Sequence, residues 1–281
     1  ANEDFPDSQK VRITFVNHGG TRSSKTFDSI HLIYKLLTVP ENRNKNLYCT
    51  VYRKELVLCR QNTLKDFKEC FNLMNLVPDV DYVLTGENSG SSAKISLAGN
   101  TIEFKGYPEI GEQASKSFIT YINEVLESDS EKQVDNILQR CTGIAILDAN
   151  PDKTFHFSYD RKDRLNYFYS RTTYLDNFHL DDGQRGDWET KCPWDLNDSE
   201  IVIEDAIPGI PIGLNENFHN GFRRRVWKKP ECKPNEIYNP EIHRRINIQN
   251  EKTGSIDRAW WLTMGEGIPC AREGAVFPYV N

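Results

Sequence analysis

The segment Gly19-Gly20-Thr21-Arg22-Ser23-Ser24-Lys25-Thr26 constrains the fold more than any other stretch. An apolar run, Val11 to Asn17, leads into it, and an amphipathic run beginning at Phe27 leaves it. The order is strand, loop, helix. A loop of this kind ending in Lys and Thr has the chemistry of a phosphate-binding P-loop: backbone N–H groups wrap the phosphates, the lysine reaches the outer pair, and the hydroxyl takes a magnesium ligand position. The usual pattern puts glycine before the lysine. Ser24 stands there instead, small enough to allow close approach of the backbone. The competing reading is a polar strand-to-helix turn with an incidental lysine, and the neighbouring chain must decide between them.

At 281 residues the chain is long enough for one large domain or two smaller ones around a sizeable core. A net charge of -6 argues against a protein that coats nucleic acid with its whole surface, since such binding releases counterions through lysine and arginine. A local basic patch remains compatible with it. The seven cysteines include no C-x-x-C pair, which points to reduced, buried thiols in a cytoplasm-like compartment and to no zinc site. No apolar run reaches membrane-spanning length, and the acidic N-terminus ANEDFPDSQK does not read as a secretion signal. A soluble intracellular protein is expected.

Taken in order, Val11, Ile13 and Phe15 alternate with polar residues as in a strand. Phe27, Ile30, Ile33, Tyr34 and Leu37 recur at helical spacing up to Pro40. Leu47 to Tyr52 reads as a second strand with Arg53-Lys54 at its tip, where an α/β sheet presents ligand contacts. Thr63 is the expected N-cap of a helix to Asn75. Ile95 and Leu97 face Ile102 and Phe104 across Ala98-Gly99-Asn100 as a hairpin. Phe155 to Tyr159 and Tyr167 to Tyr174 read as later strands, and Trp260-Trp261 as the packed face of a last helix.

A second constellation lies at the end of the apolar run Ser117 to Ile122, which closes in Asn123-Glu124. P-loop ATPases place an acidic pair at the tip of a buried strand beside the loop strand, the first residue holding magnesium through water and the second orienting the attacking water. Asn123 takes the first place and can still accept a hydrogen bond from a metal-bound water; Glu124 takes the second. After a helix from Glu131 to Cys141, the strand Gly143 to Leu147 ends in Asp148-Ala149-Asn150-Pro151. Asn150 is the candidate sensor of the terminal phosphate, against the simpler reading of an Asn-Pro turn. Arg223, Arg224, Arg225, Lys228 and Lys229 form a basic run, readable as a DNA contact or as a solvated face.

In this order the chain resembles the N-terminal ATPase domain of a tailed-bacteriophage large terminase subunit, the motor that pumps DNA into a procapsid. The resemblance is carried by GGTRSSKT, VYRKELVLCRQNTLKDF, TIEFKGY, FITYINE, LDANP, TTYLDN and LTMGEG with AVFP, together covering most of residues 11 to 281. It implies a P-loop NTPase of the ASCE, RecA-like class: a mainly parallel central sheet flanked by helices, with an added β-hairpin. It implies a single domain over 1–281, with a peripheral subdomain at about 181–250 and the family's nuclease domain absent, as in a fragment or a product whose nuclease lies on a separate chain. Gly19 to Thr26, Arg53 and Asn150 are implied to bind ATP, with Thr26 and, through water, Asn123 at Mg2+. Lys25, Arg22 and Glu124 are implied to be catalytic, with Asp148 and Asn150 coupling hydrolysis to movement. Arg60 matches another basic position near the nucleotide. The cation a neighbouring subunit would provide is sought in Lys116, Lys105 or Arg140.

The implied partners are double-stranded DNA, the procapsid portal, the small terminase subunit and further copies in a ring, the isolated chain being a monomer, in the host cytoplasm and away from membranes. A nucleotide-binding or DNA-docking module without catalysis is the alternative, prompted by Ser24 and Asn123. A nuclease built on Asp176, Asp181, Asp182 and Asp187 is a third reading, although acids so close in a turn-rich segment are usually solvated. No N-K-x-D motif marks a GTPase.

Overall fold

The computed structural model describes residues 12–87, 92–109, 112–128, 130–153, 156–159, 161, 166–177, 179–190, 192, 199–205, 221–227 and 258–269. Two compact units divide the chain. The first takes residues up to Asn17, Lys25–Ala149 and His156–Tyr169; the second takes His18–Ser24, Asn150–Phe155 and Ser170 onward.

An eight-stranded sheet carries the fold. Its strands are β1 (Ile13–Gly19), β2 (Tyr48–Arg53), β3 (Tyr82–Thr85), β4 (Lys94–Leu97), β5 (Asn100–Gly106), β6 (Ser117–Ile122), β7 (Cys141–Ala149) and β8 (Tyr167–Thr172). They lie in the order β3-β4-β5-β2-β6-β7-β1-β8. From β5 through β2 and β6 to β7 the pairings are parallel, and β3-β4-β5 is antiparallel. β6 is therefore not beside β1, as expected from the acidic-pair rule; β7 is inserted between them. The chain makes this insertion by crossing over through helix α4 (Glu131–Gln139), which begins at the Ser130 N-cap.

The hairpin forms at the expected place, with a tighter turn. Ala98 and Gly99 both have positive φ, 49° and 73°, and Asn100 already pairs with Leu97. A primed two-residue turn matches the right-handed twist of the flanking strands. It is held by Asn100, whose Nδ2 donates to the carbonyls of Leu37 and Asn42 and whose Oδ1 accepts from Leu47 N–H.

Both sheet faces are covered, which explains why β6 and β7 read as nearly continuous apolar runs. On one face Ile119, Tyr121 and Ile146 pack with Ile30, Ile33 and Leu37 of α1 (Lys25–Thr38) and with Phe67 and Phe71. On the other, Ile122, Ala145 and Leu147 pack with Val134, Ile137 and Leu138 of α4. Phe67 stands edge-on to Phe104 at 5.0 Å and to Phe71 at 6.0 Å.

Thr63 does not cap a helix. The chain is already helical from Leu56: α2 (Leu56–Leu58) runs through a π turn, Cys59–Thr63, into α3 (Leu64–Leu73), and Thr63 has ordinary helical dihedrals with no capping bond. Nor do residues 157–159 form a strand; they make a turn. It is fastened from both sides, His156 contacting Ser158 and the Ser128 carbonyl, and the fully buried Arg161 pairing with Glu131 and Asp135.

In the second unit, α5 (Asp182–Glu189), α6 (Arg258–Met264) and the turn Tyr174–Asp176 gather Tyr174, Leu175, Trp188 and Trp261 into one apolar cluster. Trp261 serves α6 as its spacing predicts, and its Nε1 donates to the buried Glu266. A two-stranded antiparallel sheet joins β9 (Ser199–Asp205) and β10 (Gly221–Trp227).

Candidate nucleotide-binding site

Parallel strands end on the same side, so the tips of β2, β6 and β7 bring Arg53, Asn123-Glu124 and Asp148 to one edge of the first unit. The register is explicit: Ile122 pairs with Leu147, and Asn123 and Asp148 are the next residue along each strand. Asp148 is completely buried. Four donors converge on it. Its Oδ1 accepts from Asn123 Nδ2 and Glu124 N–H, both at 3.0 Å. Its Oδ2 accepts from the Tyr121 hydroxyl at 2.5 Å and the Thr26 hydroxyl at 3.1 Å.

Each donor is itself fixed. Asn123 Oδ1 accepts from the buried Thr63 hydroxyl at 2.7 Å, so the π turn serves to aim Thr63 at the sheet edge. Burial, and then the charge of Asp148, push the Tyr121 phenol well above its ordinary value, so it remains a donor. Glu124 adopts the left-handed conformation, φ 55° and ψ 55°, and its N–H donates to Asp148. Thr26 lies in the first turn of α1, after the buried Lys25.

Arg53 holds Glu127 through two bonds, Nε to Oε2 at 3.1 Å and Nη2 to Oε1 at 2.7 Å. Burial works against its charge, but the bond to Glu127 and the fields of Glu127, Glu124 and Asp148 outweigh that and raise the guanidinium above its ordinary value. A two-pronged arginine–carboxylate pair is among the stronger polar contacts a protein makes. Arg60 donates to the Glu87 carbonyl.

The glycine-rich half of the loop belongs to the second unit and is held there by its backbone. Gly20 N–H donates to the Thr172 carbonyl at 3.0 Å, and Thr21 N–H to the Met264 carbonyl at 2.5 Å. Asn177 Nδ2 donates to the Arg22 carbonyl at 2.8 Å. A Cβ on Gly20 would lie 2.5 Å from the Met264 carbonyl oxygen, so this close approach requires glycine. Arg22 and Ser24 have φ of 66° and 62°. The position before Lys25 is thus left-handed, the conformation for which glycine is the usual residue, and serine occupies it at a cost. Ser23 Oγ is buried without a hydrogen-bond partner. Asn150 also lies in the second unit.

Among the trans candidates, Lys105 bonds Ser115 at 2.6 Å and pairs with Glu103 at 2.9 Å, and Arg140 Nε donates to the Ala114 carbonyl. Lys116 is exposed. Arg223, Arg224 and Arg225 lie on β10, while Lys228 and Lys229 fall outside the described residues. Two acids of the nuclease reading have local duties: Asp176 completes a capping box with Thr173, and Asp181 caps α5. Among the described residues no group of three or more His, Cys, Asp or Glu could hold a metal ion, and no helix is long and apolar enough to cross a membrane. The described cysteines, Cys49, Cys59, Cys70, Cys141 and Cys192, are buried. Burial pushes Cys59 and Cys70 up to about 12, which keeps them as thiols.

Sequence reasoning missed Tyr121, Thr63 and Glu127. Tyr121 and Thr63 read as members of apolar or capping patterns; the cross-strand register reveals what Tyr121 touches, and the π turn what Thr63 touches.

The strand order, with β7 between the loop strand and the Asn-Glu strand, and the Lys25-Thr26 start of α1 define an α/β P-loop fold of the additional-strand class. Solved structures similar to this chain include large terminases of bacteriophages. One, from a thermophilic bacteriophage, is similar over 68% of this chain and 47% of its own, at 18% identity and a TM-score of 0.49; it has also been solved with ADP and with ATP-gamma-S. The HK97 bacteriophage large terminase is similar over 65% of this chain and 40% of its own, at 10% identity and a TM-score of 0.44. For the large terminase ATPase domain of Thermus phage P74-26 the shares are 63% and 81%, the identity 9% and the TM-score 0.42. The chain thus spans about half the length of the thermophilic bacteriophage's terminase. No family model matches the sequence, and no curated protein does.

Proposed function

We propose that this chain is the ATP-hydrolysing motor domain of a viral genome-packaging terminase, using Mg2+ and moving double-stranded DNA into a procapsid. The observation that carries the reading is the Thr26–Asp148 bond at the carboxyl edge of the sheet, with Glu124 fixed beside it through its own N–H. The residues fit the group they would hold. A magnesium ion bound with a nucleotide takes few protein ligands and many from phosphate and water, which suits one hydroxyl and nearby carboxylates better than a caged metal site. When bound, the ion neutralises phosphate charge.

In this reading Lys25 and the α1 N-terminus receive the phosphates, Thr26 is the direct metal ligand, and Glu124 orients the attacking water. Gly20 and Thr21 shape the loop, since their N–H groups already serve the Thr172 and Met264 carbonyls; the amides that meet phosphate follow them. Arg22 is the candidate for the terminal phosphate, and Asn150 for sensing it. Arg53 acts through Glu127, and Arg223 to Arg225 are the candidates for DNA contact. The portal, the small terminase subunit, a ring of copies and the host cytoplasm complete the proposal.

Phosphate release tests it. Lys25→Ala is expected to lower turnover by about 100- to 1,000-fold without changing the melting temperature; undiminished turnover sinks the assignment. Glu124→Gln is expected to bind ATP normally while turnover falls about 100- to 10,000-fold. The second reading, a nucleotide-binding or docking module, is favoured by the amide at Asn123. It predicts ATP binding by the unmodified chain with no phosphate release, even with DNA and portal present.

A further inference from the structure

P-loop ATPases hold magnesium between the loop hydroxyl and an acid that accepts from it, and in this chain the residue at the expected place is the amide Asn123. The carboxylate is one strand over. We propose that Asp148 provides the charge that orders the magnesium shell, acting through the Thr26 hydroxyl as a positioning residue, with Asn123 orienting it. This rests on the nucleotide reading above and gives Asp148 a role separate from coupling.

The geometry has three parts. A threonine hydroxyl has one proton and two lone pairs; Thr26 donates its proton to Asp148 Oδ2, which leaves its lone pairs for a cation. Asn123 and Asp148 occupy the same step of neighbouring parallel strands, so a charge moved from one position to the other stays at the same edge of the sheet. Finally, the amide at 123 is what an acid at 148 requires. Asn123 Nδ2 donates to Asp148 Oδ1 at 3.0 Å, whereas a second carboxylate there would set two like charges in contact. With the amide at 123 and the acid at 148, the sheet edge carries one charge at this step of the two strands.

The test uses the full chain with ADP and Mn2+, reading bound Mn2+ by electron paramagnetic resonance and metal-free ADP binding by calorimetry. Asp148→Asn is expected to weaken Mn2+ binding in the ADP complex by about 10- to 100-fold and to leave metal-free ADP binding unchanged. Equal loss with and without metal marks a merely structural role and overturns the proposal, as does unchanged Mn2+ affinity. Should Asp148→Asn fail to fold, the double variant Asn123→Asp with Asp148→Asn carries the test. Restored Mn2+ binding supports the proposal, and a folded double variant that binds ADP without Mn2+ overturns it. Failure of the unmodified chain to bind ADP at all would instead sink the nucleotide reading itself.

Discussion

At the scale of single residues, backbone strain is stored where chemistry is proposed. Glu124, Arg22 and Ser24 all have positive φ. A non-glycine residue in the left-handed region costs about 1–2 kcal/mol, and such outliers persist where surrounding bonds over-determine them. For Glu124 one of those bonds is visible: its N–H donates to Asp148 Oδ1 at 3.0 Å. Removing the carboxylate in two ways separates strain from side-chain loss. Glu124→Gly is expected to be more stable than Glu124→Ala by about 1 kcal/mol in urea unfolding, since glycine adopts the conformation freely, while both variants lose turnover. Equal stabilities would mean that the backbone relaxes there.

At the scale of elements, the π turn between α2 and α3 decides more than its five residues suggest. It makes one helical run of Leu56 to Leu73, aims Thr63 at Asn123, and places Asp66 inside a helix rather than at a free N-terminus. The amides that would have favoured an acid in a first turn are already used. Burial, then the charges of Glu69 and Asp148, push Asp66 up to about 6. An unfolded chain loses that proton near pH 3.9, so between about pH 4 and 6 the folded state binds more protons. Stability is therefore fully present below that window and falls as pH rises through it. Asp66→Asn is expected to flatten this slope, gaining on the unmodified chain at pH 7 relative to pH 4.5 in denaturant titrations. Parallel slopes for the two proteins would show that Asp66 ionises normally.

For the whole molecule, what was legible in the sequence was what local pattern encodes. Strand, loop and helix around Lys25 follow from alternation and 3.6-residue spacing, and the hairpin follows from Gly99; β6 and β7 show as apolar runs because both faces are covered. What stayed hidden depends on register. Nothing near Asn123 announces that Asp148 will lie beside it, and nothing near Thr63 that a π turn shifts it inward. The same parallel register sorts the candidate cations. Lys116 and Arg140 immediately precede β6 and β7, so they lie at the amino edge, while Glu124 and Asp148 follow at the carboxyl edge. Six residues of β6 at about 3.3 Å each put roughly 20 Å between those edges, too far for Lys116 to serve its own site. Any help from Lys116 must go to another copy, and a cation given in trans is worth roughly a thousandfold or more in rate. Phosphate release per mole of chain is accordingly expected to rise with protein concentration. Lys116→Ala should remove the rise while leaving turnover at high dilution unchanged. A rise that survives Lys116→Ala and vanishes in Arg140→Ala would pass the role to Arg140, and one that survives both would take it from the amino edge altogether.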